Sequence, residues 1–162
     1  MKKLLYLMTF AAMLVTGCCS EECAQGPKPL QIDNALTAEE KAAGKFTPEI
    51  MWKMSRIGQQ ALSPDGSKLI YTLTQYNMAE NRGITLLWLR DMATGQERAI
   101  TDYASTNTSP QWLDNDNVAF MSNRSGSMQV WAQNVASGAA TQLSDVDGGV
   151  EGFGIAGNHA FY

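Results

Sequence analysis

The side chains that could catalyse a reaction are few in this sequence of 162 residues. Its one histidine, His159, would need a serine and a carboxylate held beside it to form a catalytic triad. The pentapeptide G-x-S-x-G, which presents a nucleophilic serine on a strand-to-helix turn, does not occur. Alternation of apolar and polar residues instead predicts that His159 lies on a β-strand. We therefore predict that this chain supplies no catalytic residue.

Two glycine-rich or aspartate-rich segments carry partial ligand-binding patterns. Gly152 to Gly157 has the glycine spacing of a dinucleotide-binding loop, which also requires a preceding parallel strand, a following helix and an acidic residue about 20 positions later. Because the later parts of that pattern are missing, we interpret these glycines as a turn between strands. Asp145-Val146-Asp147-Gly148 lacks the remaining ligands of a calcium loop and is also interpreted as a turn. We predict no cofactor and no metal ligand.

The cysteines are grouped near the start of the chain, where Cys18, Cys19 and Cys23 lie within six residues. Zinc sites with cysteine ligands usually pair two such clusters across a loop, and the sequence has no second cluster. A local disulfide between Cys19 and Cys23 stays open as an alternative in an oxidising compartment. The sequence therefore predicts no metal site among these thiols.

The first residues have the layout of an export signal. Lys2 and Lys3 precede an uncharged apolar run of 12 residues, Leu4 to Val15. This layout is typical of a secretory signal peptide, because a membrane-spanning helix needs about 20 apolar residues. We predict a cleaved signal peptide over residues 1–17, with an N-terminal membrane helix as the weaker alternative.

The end of the apolar run points to lipid attachment. Val15-Thr16-Gly17-Cys18 resembles the lipobox of bacterial lipoproteins, in which a small residue precedes the cysteine that receives diacylglycerol. The resemblance implies lipidation at Cys18 and a membrane partner through that anchor; a cleaved signal with an incidental cysteine is the alternative. We expect an exported protein in the cell envelope or periplasm, with the outer membrane as one candidate.

Composition excludes one class of partner. Acidic residues outnumber basic ones by 16 to 12, which gives a formal charge of -4. Loss of Lys2 and Lys3 with a signal peptide would make the chain more acidic. Proteins that bind nucleic acid usually carry the opposite sign, because they neutralise phosphates. We predict no nucleic-acid partner.

Two short helices are expected before the main body. Thr37 followed by Glu40 forms a capping-box pattern and Gly44 a left-handed stop, within a tether that covers residues 18–45. Thr47 and Pro48 are a helix start. A helical lead-in is therefore predicted over residues 46–58. The apolar stripe that should dock it consists of Ile50, Met54 and Ile57.

After Gly58 the pattern changes from helical to alternating, which predicts short strands separated by turns. The first strands are expected at Lys68 to Leu73, about Thr85 to Arg90, and Glu97 to Ile100. Residues 74–83 are expected to form a polar loop. Trp88, Trp112 and Trp131 are interpreted as core residues, with an aromatic binding platform as the alternative.

The strand pattern repeats along the chain. The matches at a spacing of 43 residues are Trp88 with Trp131, Thr94-Gly95 with Ser137-Gly138, and Thr101-Asp102 with Ser144-Asp145. Ser63-Pro64 matches Ser109-Pro110 at 46 residues, and Tyr71 is expected to be equivalent to Phe120. A period of about 40 to 45 residues with four short strands is typical of a propeller blade.

The predicted fold class is therefore all-β, an incomplete β-propeller with TolB-like or WD40-like blades of about 43 residues and a short helical lead-in. Blade 1 is expected over residues 59–102, blade 2 over 103–145, and the truncated start of a third blade over 146–162. An unrelated β-sandwich with coincidental turns is the alternative fold.

Three motifs carry a family resemblance: Thr47-Pro48-Glu49, Ala61-Leu62-Ser63-Pro64-Asp65-Gly66, and Asn123-Arg124-Ser125-Gly126 before Val130-Trp131. From about Phe46 the chain resembles the start of the propeller in secreted serine peptidases of the prolyl-oligopeptidase family, close to its dipeptidyl-peptidase and acylaminoacyl-peptidase-like members. The second blade departs from the motif, with Trp112-Leu113-Asp114-Asn115-Asp116 in place of Ser-Pro-Asp-Gly.

That resemblance implies an exported exopeptidase that releases dipeptides or acylated residues from short peptides. In such enzymes the propeller restricts access to a catalytic domain, which this chain lacks. Ser-Pro-Asp-Gly blades also occur in TolB-like propellers, so a non-catalytic lipoprotein that binds an envelope partner is the alternative.

Overall fold

The computed structural model describes residues 32–156 and 159–162. The predicted signal peptide, the lipidation site Cys18 and the alternative Cys19 to Cys23 disulfide lie outside the described residues. Within the described ranges, no helix is long and apolar enough to cross a membrane.

Two helices of six residues each precede the sheets: α1 spans Ala38–Ala43 and α2 spans Pro48–Lys53. The capping box of α1 is formed, because Thr37 Oγ1 accepts a hydrogen bond from the Glu40 N–H at 3.2 Å and the Glu40 carboxylate accepts one from the Thr37 N–H at 2.8 Å. Gly44 ends α1 at φ +59°. The start and stop signals of the sequence are therefore confirmed.

The predicted apolar stripe of the lead-in is wrong beyond its first residue. Ile50 is buried, whereas Met54 is 54% exposed and Ile57 is 68% exposed. The helix ends at Lys53, Met54 adopts an extended conformation, and Ile57 lies on the first strand. A helical period cannot continue once the backbone becomes extended, so the three side chains do not share one face.

The body consists of antiparallel sheets. β1 (Arg56–Leu62), β2 (Lys68–Asn77), β3 (Arg82–Asp91) and β4 (Glu97–Ala99) form a four-stranded sheet in that order. β5 (Asn107–Trp112), β6 (Asn117–Ser122), β7 (Gln129–Asn134) and β8 (Ala140–Gln142) form a second sheet in the same way, and β9 (Gly154–Ala156) pairs with β10 (His159–Phe161). Successive four-stranded meanders are the blades of an incomplete propeller, as predicted.

The core lies between the two four-stranded sheets. Its buried residues are Ile70, Leu87 and Leu89 from the first sheet, Val118 and Phe120 from the second sheet, and Val135 from the turn between β7 and β8. Trp112 and Trp131 pack against this cluster, as expected for core residues, whereas Trp88 is half-buried and lines an open depression on the first sheet. Tyr71 and Thr72 of β2 are buried as well as Ile70.

The sequence repeat of 43 residues arises because both four-stranded sheets make the same hydrogen bonds in their turns and after their fourth strands. Asp91 Oδ1 accepts from the N–H groups of residues 93 and 94, and Asn134 Oδ1 accepts from those of residues 136 and 137. After the fourth strand, Thr101 Oγ1 accepts from the Leu87 N–H and Ser144 Oγ accepts from the Val130 N–H. The repeat is therefore a repeat of turn and strand-end chemistry.

The match between Ser63-Pro64 and Ser109-Pro110 is wrong. Ser63 is buried in the turn between β1 and β2, where its hydroxyl and the Ser67 N–H hold the pKa of Asp65 at about 2 by donating hydrogen bonds to that carboxylate. Ser109 instead lies in a bulge inside β5, at φ +54°. The equivalent bulge of the first sheet falls between Ile57 and Gln60.

The predicted polar loop over residues 74–83 is also wrong, because most of it is strand. The pairing of β2 with β3 continues from Thr74–Thr85 to Asn77–Arg82, which gives four more pairs than the β6–β7 hairpin has. We name residues 74–85 the hairpin arm. The equivalence of Tyr71 and Phe120 is confirmed, since each pairs with the tryptophan of the next strand, Trp88 or Trp131.

The Ser144 hydroxyl provides a test of the repeated strand-end bond. It accepts from the Val130 N–H at 2.8 Å and donates to Gln129 Oε1 at 2.7 Å, in a buried environment. We expect Ser144→Ala to lower the free energy of unfolding by about 1 to 3 kcal/mol, because it leaves buried polar groups unpaired. Urea unfolding of the protein encoded by the complete reading frame measures this.

The matched control is Ser125→Ala, which removes an exposed hydroxyl that makes no side-chain hydrogen bond among the described residues. Equal unfolding midpoints for the two variants would contradict the role given to Ser144.

Candidate functional site

One end of the two four-stranded sheets gathers the distinctive features of the molecule. β1 and β5 both begin at this end, since Arg56 pairs with Thr74 and Asn107 pairs with Ser122. The same end carries the tip of the hairpin arm, the connection over residues 100–106 and the turn over residues 123–128. We name this end the lead-in face, because α2 enters the sheets there.

An aromatic contact fixes α2 to the hairpin arm. The rings of Trp52 and Tyr76 meet edge to face, with centroids 5.2 Å apart and an interplanar angle of 72°. The guanidinium of Arg56 lies over both rings, 5.4 Å from the Trp52 centroid and 4.9 Å from the Tyr76 centroid. A cation over two aromatic faces is favourable, so the chain is held as it enters the first strand.

Polar contacts extend this attachment in both directions. Lys53 Nζ pairs with the Glu40 carboxylate at 2.8 Å, which joins α2 to the residues that cap α1. Gln75 on the hairpin arm donates to Ser55 Oγ at 3.3 Å and accepts from the Tyr103 hydroxyl at 2.7 Å. The lead-in, the arm and the 100–106 connection thus form one connected surface.

Arg124 is exposed on the lead-in face, but several contacts hold its guanidinium in place. Its Cζ atom lies 5.2 Å from the Phe120 ring centroid and 4.9 Å from the Trp131 ring centroid. Its Nε donates to Ser122 Oγ at 3.1 Å, and its Nη2 donates to Asn107 Oδ1 at 3.3 Å. The two rings and the two acceptors fix the orientation of the guanidinium plane.

Asn107 connects this arrangement to the first sheet. Its side chain is fully buried, and Nδ2 donates to the Thr85 carbonyl of β3 at 3.3 Å and to the Ser105 carbonyl at 3.0 Å. Buried amides need such partners, so Asn107 fixes the position of the second sheet against the first at this end. The position of Arg124 therefore depends on the contact between blades.

An open cavity of about 380 Å³ adjoins Arg124 between the two sheets and faces solvent. Asp102, Ser105 and Gln133 also line it. Partial burial lowers the pKa of Arg124 from its ordinary value, and the Asp102 carboxylate acts in the opposite direction. The ion pairs of the described residues lie elsewhere and join Lys53 to Glu40, Lys68 to Asp116, and Arg90 to Glu97.

The candidates singled out in the sequence do not meet at this site. His159 lies exposed on β10, and Gly154 to Ala156 form β9, which is antiparallel to β10 and so lacks the parallel strand that a dinucleotide loop requires. Asp145 to Gly148 lie in a turn whose Val146 N–H donates to Gln129 Oε1. No group of three acidic, histidine or cysteine side chains in the described part of the chain is placed to hold a metal ion.

Arg124 belongs to the motif Asn123-Arg124-Ser125-Gly126, but the sequence predicted no role for this residue. The available signal was an arginine in a polar turn between strands that carry Phe120 and Trp131. Its contact with both rings depends on the register of β6 and β7, which the sequence does not display.

Comparisons with known proteins support the propeller fold and a relationship to dipeptidyl-peptidases. No family model matches the chain. A protein named Dipeptidyl-peptidase 5 from Porphyromonas gingivalis is 36% identical over 109 residues, which cover 67% of this chain and 16% of that relative. A protein of the same name from Porphyromonas endodontalis is 27% identical over 122 residues, which cover 75% of this chain and 18% of that relative.

The solved structure of the AtxE2 isopeptidase without ligand is similar in fold, with a TM-score of 0.56, 15% identity, and coverage of 67% of this chain and 21% of that chain. The chain thus spans less than a fifth of the length of the two curated relatives. The resemblance to dipeptidyl-peptidases is confirmed over the part of the chain that these relatives cover.

Proposed function

We propose that this chain is the N-terminal propeller part of an exported serine exopeptidase, which releases dipeptides or acylated residues from the N-termini of short peptides. The observation that carries the proposal is the match to two proteins named Dipeptidyl-peptidase 5 over 67% and 75% of the chain. The propeller start predicted from the sequence resemblance is the same region that forms the two complete blades.

The lead-in face supports a role in substrate access. The chain enters the blades at this face, and the Trp52 and Tyr76 contact fixes its direction. In this proposal the catalytic domain lies over the same face. Rigid blades in front of a catalytic pocket exclude folded proteins and admit short peptides, so this part of the protein would select substrates by size.

Activity of the protein encoded by the complete reading frame tests the proposal. We expect hydrolysis of dipeptidyl or acylaminoacyl chromogenic amides, and covalent labelling of one serine by a fluorophosphonate that abolishes the hydrolysis. The matched control substrate presents the same residues within a cyclic peptide. Such a peptide has neither a free N-terminal dipeptide nor an acylated N-terminal residue. Absence of both labelling and hydrolysis would refute the proposal and favour a non-catalytic TolB-like propeller.

Export and anchoring are a separate part of the proposal. Their support is the basic and apolar start of the chain followed by Thr16-Gly17-Cys18. Acyl chains on Cys18 would hold the protein on a membrane surface of the cell envelope, because several chains on one residue bind far more firmly than a single chain.

Cell fractionation tests the anchor. We expect the natural protein in the membrane fraction and the Cys18→Ala variant displaced from it or retained as an unprocessed precursor. Cys19→Ala is the matched control and should leave the distribution unchanged. Recovery of the natural protein in the soluble periplasmic fraction would contradict lipid anchoring.

A further inference from the structure

The guanidinium of Arg124 is held in place, but some of its N–H donors make no hydrogen bond to the described residues. An arginine side chain has five N–H donors in a fixed plane. Nε donates to Ser122 and Nη2 donates to Asn107, while the N–H groups of Nη1 have no hydrogen-bond partner among the described residues. The geometry thus leaves donors available beside the cavity of about 380 Å³.

Arg124 also lacks a counter-ion in the described part of the chain. The three ion pairs there involve other residues, and Asp102 influences Arg124 without approaching within ion-pair distance. The Arg124 side chain is exposed, so an incoming anion can reach the guanidinium.

We propose that Arg124 binds the free C-terminal carboxylate of a short peptide in the cavity between the two blades. A carboxylate matches the planar fork of arginine and accepts two parallel hydrogen bonds from it. Because the rings and Asn107 already hold the guanidinium, little side-chain entropy is lost on binding.

This assignment rests on the proposed function for its substrate class. A peptide cleaved near its N-terminus at a catalytic domain over the lead-in face would extend its C-terminus towards the blades. The carboxylate is the group that all unblocked short peptides share, whatever their side chains. Arg124 would therefore select for free peptide ends as well as for short length.

Titration calorimetry with the protein encoded by the complete reading frame tests the site without relying on turnover. The probes are a tetrapeptide of N-methylated alanine, which resists hydrolysis, as the free acid and as the C-terminal amide. We expect the acid to bind about tenfold or more tightly than the amide, since a charge-assisted hydrogen bond contributes enough for that factor. In Arg124→Gln the acid should bind only as tightly as the amide.

Two controls keep the test specific. Arg90→Gln removes an arginine that is already paired with Glu97 at 2.8 Å, and it should leave the preference for the acid unchanged. Arg124→Lys keeps the positive charge but loses the planar fork, so it should retain part of the preference. Thermal unfolding of each variant shows whether the fold is intact.

Equal affinity of the natural protein for the acid and the amide overturns the proposal, as does a preference that survives in folded Arg124→Gln. A preference that Arg124→Gln abolishes supports the carboxylate site even if the protein hydrolyses no peptide, in which case the proposed peptidase function fails alone. Hydrolysis without any preference for the acid refutes only the carboxylate site.

Discussion

The burial of one sheet face against the next is the constraint on which the rest of the structure depends. Each four-stranded meander is too thin to enclose a core by itself, so Ile70 and Leu87 of the first sheet must pack against Val118 and Phe120 of the second. This contact fixes the two sheets relative to each other. Asn107 can then bridge them, and the position of Arg124 follows from that bridge.

The two blades share their turn chemistry but differ where function is proposed. The turns after β3 and β7 make the same hydrogen bonds, and so do Thr101 and Ser144. The hairpin arm exists only in the first of these two sheets, and it receives α2 through Tyr76. The repeat therefore maintains the scaffold, while the departure from it forms the surface on which the lead-in rests.

The sequence was most informative where structure depends on neighbouring residues. The caps of α1 and the turns 43 residues apart were predictable, because each uses side chains within a few positions of the backbone they bind. The end of α2 at Lys53, the length of the hairpin arm and the bulge at Ser109 were not. These three features depend on strand pairing across the sheet. The contacts around Arg124 depend on the packing between the two sheets as well.

An experimental structure of the protein encoded by the complete reading frame tests the central claim most directly. We expect β1 and β5 to be neighbouring inner strands of two successive propeller blades, and the lead-in face carrying Arg124 to be turned towards a catalytic domain. Two sheets that face each other as the closed layers of a β-sandwich, or a catalytic domain on the opposite end of the blades, would contradict that claim.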